Sequence, residues 1–376
     1  MTAKVTFFPI GNADSCRIDL VGGRKVLIDF ADVRNAEDPY DKRIDLAAEV
    51  RRDLDDANRD YLDAVCFTHL DADHVKGSSE FFWFEHAATY QAASRIKIRE
   101  LWVPAAAVIE EGVEDDARVI RQEARYRLKQ GKGIKVFSRP ERLHDLLASW
   151  GLTVADRASC IVDAGQTVPG FYKDGPDKAE FFVHSPFAWR LNEREVEDRN
   201  QDSIVMQVTF VEGGVESYGI LGSDADHATL TTIVEITKAH KREHRLLWDF
   251  LKLFHHCSYR SLGPERGKDE TEAVPEVKWL FETQSREGCV IISTSDPIPE
   301  KGTEDDKNVQ PPHRQAANHH RRVVKDKDGQ FKVTMEIPSV QRPKPLVVEI
   351  TAAGVSLLLA APTAIGIATS RPARAG

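Results

Sequence analysis

Residues 68–74, Thr68-His69-Leu70-Asp71-Ala72-Asp73-His74, place four metal-binding side chains within six positions. Two are imidazoles, which offer neutral nitrogen, and two are carboxylates, which offer charged oxygen; that mixture suits zinc or manganese. The run before them, Ala64-Val65-Cys66-Phe67, is short, apolar and rich in strand formers, so it reads as a buried strand whose end turns into the ligand loop. A polar surface loop carrying two histidines is the competing reading. The His-x-Asp-x-Asp-His spacing behind a buried strand favours metal binding.

Other ends of expected strands carry further candidates. Asp29 follows Val26-Leu27-Ile28, and Asp14 sits in the turn Gly11-Asn12-Ala13-Asp14-Ser15. Asp224 closes Gly222-Ser223-Asp224 after the strand at 217–221, where it also suits a cap on the helix expected over 225–239. The buried strand at 251–254 ends in His255-His256-Cys257-Ser258. Neighbours on an extended chain point to opposite faces, so one imidazole of the pair is expected to face the site. His255 is taken as the ligand, and His256 as a contact either to substrate, where it would protonate a leaving group, or to a ligand from behind. His184 ends another strand, beside Ser185-Pro186, and reads more readily as structural than as a ligand.

The loop resembles the His-x-His-x-Asp-His signature of the metallo-β-lactamase-fold hydrolases, with Asp71 in place of the middle His. That substituted form is similar to the hydrolase domain of the ComEC DNA-uptake protein. The turn around Asp14, the strand ending in Asp29, the polar Asn200-Gln201-Asp202-Ser203 turn, the strand ending in Asp224 and the His-His ending resemble it too. Ser223 and Cys257 stand where the family has Gly. The resemblance covers roughly residues 4–300. It implies a four-layer αββα sandwich of mixed α and β structure. It also implies two metal positions: His69 and Asp71 at one, Asp73, His74 and His255 at the other, and Asp224 bridging. Asp14 and Asp29 would support these ligands. The first position lacks its usual third His, for which Asn200 or Asp202 is the nearest substitute.

One or two divalent ions, zinc or manganese, would lower the pKa of a bound water to give hydroxide at neutral pH and would stabilise attacking and leaving oxygens. Asp73 would orient that nucleophile. The resemblance of the Asp-substituted loop and the His-His ending to the DNA-uptake domain, with basic clusters at 127–142 and 314–325, makes a phosphodiesterase or nuclease the leading expectation. An ester, lactone or thioester hydrolase uses the same chemistry. A degenerate metal-binding module with operon partners in a defence-type system is the non-enzymatic alternative, by analogy alone.

The 376 residues carry a net charge of −9. That excludes a basic nucleic-acid coat protein and confines any such binding to local patches, with a short or single-stranded chain or a nucleotide as the anionic substrate. Basic clusters lie at 127–142 and 314–325; His313 and Arg314, at the start of the stretch 313–322, are expected to contact substrate. The aromatics Phe81, Phe82, Trp83 and Phe84 read as core rather than as a stacking platform. Five cysteines, an odd count without Cys-x-x-Cys, argue for a reducing compartment. No signal-peptide pattern opens the chain, and the apolar tract at 355–368 is too short to span a bilayer; the expectation is a cytoplasmic protein. Residues 1–300 are assigned to the hydrolase domain. Residues 301–376 form an extension of mobile loop and strands packing on the same domain, with a disordered tail from Arg371. Helices are expected at 41–57, 78–88 and 105–131, and strands at 277–283 and 289–294.

Overall fold

The computed structural model describes residues 2–193 and 199–358; the tail from Arg371 and most of the 355–368 tract lie outside them. In chain order the strands are β1 Lys4–Phe7, β2 Cys16–Asp19, β3 Lys25–Ile28, β4 Tyr61–Cys66, β5 Phe82–Trp83, β6 Ile96–Pro104, β7 Ile134–Phe137, β8 Ile161–Val162, β9 Ala179–Ser185, β10 Val205–Glu212, β11 Val215–Leu221, β12 Trp248–Lys252, β13 Ser285–Ser293, β14 Gln330–Val333, β15 Leu346–Thr351 and β16 Gly354–Leu358. One sheet runs β16-β15-β1-β2-β3-β4-β6-β7-β8, with β5 beside β6; the other runs β14-β13-β12-β11-β10-β9.

Alternation along the strands sets the layers. On β3, Val26 faces the other sheet and Leu27 faces helices; on β4, Ala64 and Cys66 face inward and Val65 outward; on β12, Phe250 and Leu251 divide in the same way. The inner faces meet in one core that includes Phe7, Ile18, Val26, Trp102, Phe181, Met206, Phe210, Phe250 and Ile292. The outer face of the first sheet is covered by helices Leu46–Asp56, Asp115–Gln130 and Glu141–Ser149, and that of the second by His227–Ala239, Pro275–Glu282 and Arg314–Lys325. Each helix buries one stripe, such as Leu46, Val50 and Leu54, as an amphipathic helix must. The result is a four-layer αββα sandwich. Among the described residues no helix is long and apolar enough to cross a membrane, and all five cysteines are free and buried.

Several expected elements take a different form. The stretch 277–283, expected as a strand, lies in the helix Pro275–Glu282 and its C-cap Thr283. Pro275 supplies a ready first-turn residue, and Val277, Leu280 and Phe281 are buried at helical spacing; so short an apolar run is ambiguous by periodicity alone. The single helix expected over 105–131 is two, Ala105–Ile109 and Asp115–Gln130, separated by a turn in which Gly112 has φ +74°. The helix expected at 78–88 shrinks to Ser78–Phe81 before β5. Its aromatics are core: Phe81, Phe82 and Phe84 are buried, and Phe30 stacks on Phe81 with centroids 4.5 Å apart. The extension beyond residue 300 is built into both sheets, since β14 pairs with β13 and β15 with β1.

β3, β4, β6 and β7 are mutually parallel, as are β11, β12, β13 and β14. The loops leaving the carboxyl ends of β3, β4, β11, β12 and β13 gather at one edge, the usual ligand-binding edge of parallel sheets.

Candidate metal centre

The ligand loop leaves β4 at Phe67 and is held on every side by hydrogen bonds. Asp29, at the end of β3, accepts from the Thr68 backbone N–H at 2.7 Å, from the Thr68 hydroxyl at 2.7 Å and from His74 Nδ1 at 2.8 Å. Asp29 has φ +57°, a left-handed turn that aims its carboxylate along the loop. The Asp14 N–H donates to the Asp73 carbonyl at 2.9 Å, joining the first turn of the chain to the loop. Ser223, where the resemblance expects Gly, donates its hydroxyl to Thr68 Oγ1 at 2.8 Å.

Four side chains converge. One ligand atom from each of Asp14, His74, Asp224 and His256 lies within 4.8 Å of all the others, and all four residues are buried. Two hydrogen bonds fix how the rings present themselves. His256 Nδ1 lies 2.8 Å from the Thr294 carbonyl, which can only accept, so Nδ1 carries the proton. Nε2 of the neutral ring is then a bare lone pair, 3.2 Å from Asp73 Oδ2 and 3.8 Å from Asp224 Oδ2. His74 repeats the pattern: Nδ1 serves Asp29, while Nε2 lies 3.3 Å from Asp224 Oδ1 and 3.9 Å from Asp14 Oδ2. His74 Nε2 and Asp224 Oδ1 are buried without a hydrogen-bond partner, as is His69 Nε2. Lone pairs facing carboxylates repel unless a cation stands between them. A metal ion fits that requirement, with a carboxylate or carbonyl steering each ring from behind in the manner of metal-site histidines.

Without a metal, protons must fill the role. Burial opposes charging of His74, yet Asp224 and Asp29 raise it well above the ordinary histidine range. Burial likewise opposes charging of His256, which Asp224 and Asp14 nevertheless lift to about 9. Burial alone would push Asp224 up; His74 and His256 instead hold it well below the usual carboxylate range. A site that binds protons this firmly releases them when a metal enters.

Two cations belong to the chain itself. Lys252, on β12, is buried and donates to Asp14 and, at 2.7 Å, to the Gly222 carbonyl. Gly222 is packed so tightly that a Cβ there would lie 2.5 Å from the Lys252 carbonyl oxygen. Arg199 donates to Asp71 Oδ1 at 2.6 Å and grips Glu110 through Nε and Nη2 at 2.7–3.0 Å. Burial raises Asp71, but His69 and Arg199 outweigh it and hold the carboxyl below its usual range.

The expected site residues are thus placed as follows. His69, Asp71, Asp73, His74, Asp224, His255, His256, Asp14 and Asp29 all lie around this edge. His74 and Asp224 are central, and Asp14 joins them. Asp71 is turned to Arg199, 3.5 Å from His69 Nε2. His255, His256 and Cys257 do not continue the strand: their φ values are +45°, +50° and +67°. In this left-handed turn the alternation of an extended chain does not apply, and His256 reaches further in than His255. His255 Nε2 lies 3.8 Å from Asp224 Oδ2, with 22% of its side chain exposed. Gly would suit the Cys257 conformation better. Cys257 instead packs its buried sulfur in the outer core, where burial pushes the thiol up to about 12.

His313 and Arg314 are spent within the fold. His313 Nδ1 accepts from the Tyr259 N–H at 3.4 Å and Nε2 lies 3.1 Å from the Val309 carbonyl; Arg314 Nε donates to Asp306 at 3.0 Å. His184 Nε2 donates to the Arg245 carbonyl at 2.9 Å and takes no part in the cluster. Lys252 had a signal in the sequence, a lysine inside an otherwise apolar strand, which demands a buried acid. Arg199 and Glu110 had none, being 128 and 39 positions from Asp71.

No known family profile matches the chain, and no curated protein does. Solved structures similar to it include a diphosphatase from the PhnP family, at 11% identity and TM-score 0.33, covering 95% of this chain and 100% of that one. Another is unliganded yeast PDE1, at 9% identity and TM-score 0.42, covering 89% of this chain and 98% of that one.

Proposed function

We propose that the chain is a metal-dependent hydrolase of phosphodiester bonds, a phosphodiesterase or nuclease on the metallo-β-lactamase fold that its ligand loop resembles. The observation that carries the reading is the convergence of two imidazole lone pairs and two buried carboxylates in Asp14, His74, Asp224 and His256. A divalent ion bound there, zinc or manganese, would polarise a phosphoryl oxygen and acidify water.

In this reading His74, Asp224, His256 and Asp14 hold the ion, so His256 takes the place the sequence reading gave to His255. Asp73, 39% exposed and 3.2 Å from His256, accepts a proton from the attacking water and orients it. His255, on the solvent side, contacts the substrate. Asp29 and Thr294 position the two imidazoles. Because Arg199 neutralises Asp71, the His69–Asp71 position is closed to a second ion, and the chain binds one.

The test is hydrolysis of bis-p-nitrophenyl phosphate by protein purified without chelator, with added manganese or zinc. Turnover that depends on metal and is lost in His74→Ala supports the reading. Metal-dependent cleavage of p-nitrophenyl acetate alone would replace it with an esterase.

A further inference from the structure

Beside the metal loop lies a cleft of about 630 Å³ lined by Arg34, Asn35, Arg43, Asp73 and Lys76 among others. Its walls are tied to the centre by backbone bonds. The Phe30 N–H donates to the His74 carbonyl at 3.0 Å, and the Asp32 N–H to the Lys76 carbonyl at 2.9 Å. The segment carrying Arg34 is therefore fixed against the segment carrying Lys76. The cations differ in what they already bind. Arg43 is held by Asp41 through both oxygens, at 2.6 and 2.9 Å. Arg34 and Lys76 are exposed, and neither forms a salt bridge among the described residues, in a chain whose charged side chains are extensively paired. Asp73 belongs to both places: it lines the cleft, and its Oδ2 lies 3.2 Å from His256 Nε2.

We infer that this cleft binds a second phosphate group, so that the substrate is a short nucleotide chain whose scissile phosphodiester sits at the metal centre and whose neighbouring phosphate sits between Arg34 and Lys76. The inference rests on the hydrolase reading for the position of the scissile bond. Two exposed cations beside an anionic metal site are free to engage a polyanion that reaches from the site into the cleft. A one-phosphate ester fills the metal centre and leaves the cleft unused.

Fluorescence anisotropy of fluorescein-labelled tetrathymidylate, titrated with the full chain, tests binding apart from turnover. Wild type is expected to bind. The Arg34→Ala, Lys76→Ala double variant should weaken binding about tenfold and flatten the salt dependence by roughly one unit of slope, while Lys76→Arg retains it. Equal affinity in wild type and double variant, or no binding by wild type, overturns the inference. A second arm compares thymidine 5′-(p-nitrophenyl phosphate) with its 3′-phosphorylated form. Wild type should show a lower KM for the doubly phosphorylated ester, and the double variant should lose that ratio; a ratio unchanged by the substitutions also overturns it. Absence of turnover on both esters, with charge-dependent tetrathymidylate binding intact, would instead remove the hydrolase reading and leave the cleft as a phosphate site.

Discussion

Lys252→Met should reveal how charge is balanced beneath the candidate metal centre. Lys252 and Asp14 are each about 1% exposed and bonded to each other. Burial opposes the ammonium, and Asp14 restores it above the ordinary lysine value. Removing the ammonium leaves a buried carboxylate whose next cationic groups are His256 Nδ1 and His74 Nε2, both at 3.9 Å. Breaking one partner of a buried pair costs about 3–5 kcal/mol. Methionine keeps the chain length and apolar stem, so little of the loss comes from packing. Urea denaturation of chelator-treated protein should show that loss. The double variant Asp14→Asn, Lys252→Met should recover much of it, because no charge is then stranded. Saturating manganese should also shrink the gap, since an ion on Asp14 replaces the missing ammonium and stabilises the native state by mass action. A loss under about 1 kcal/mol in the metal-free single variant, against that 3–5 kcal/mol expectation, would refute the claim that Lys252 is a charged structural partner of the site.

Three further outcomes follow from the same geometry. Burial holds His184 at about 4 instead of the usual 6.5. The unfolded chain therefore takes up its proton first as pH falls, so stability is intact above 6.5 and drains between 6.5 and 4, by about 3 kcal/mol for this residue. About 2 kcal/mol of that falls between pH 7 and pH 5, and His184→Asn should remove a share of this size from the difference between the urea stabilities at the two pH values. Arg199→Ala frees Asp71, and elemental analysis at saturating manganese should rise from one ion per chain towards two; an unchanged count would show that Arg199 is not what closes that position. His256→Ala should lower metal content more than His255→Ala, and equal losses would undo the assignment of His256 to the ligand set.

How much of this could be read in the sequence depended on how local each signal was. Residues 68–74 hold four candidate ligands in one loop, so their meaning survives without knowledge of the fold. Asp29, Asp224 and the His-His pair were visible because each ends an apolar run, and parallel strands deliver their ends to one edge. Which imidazole turns inward was not visible. It depends on a left-handed turn at His255, His256 and Cys257, and Cys257 hides that turn by standing where Gly would announce it. The partnership of Asp71 with Arg199 is a contact across 128 positions and leaves no trace in spacing. The four layers followed from the resemblance, while the helix Pro275–Glu282 was missed because eight residues with few polar interruptions fit either period.

Metal binding to the chelator-treated chain is the most direct test of the centre. Isothermal titration with manganese, in parallel with elemental analysis, should give one tight site per chain. Proton release should accompany binding, seen as a buffer-dependent heat, because His74 and His256 carry protons in the metal-free state. His74→Ala should abolish the site. Absence of binding by wild type, or binding unaffected by His74→Ala, would contradict the account at its root.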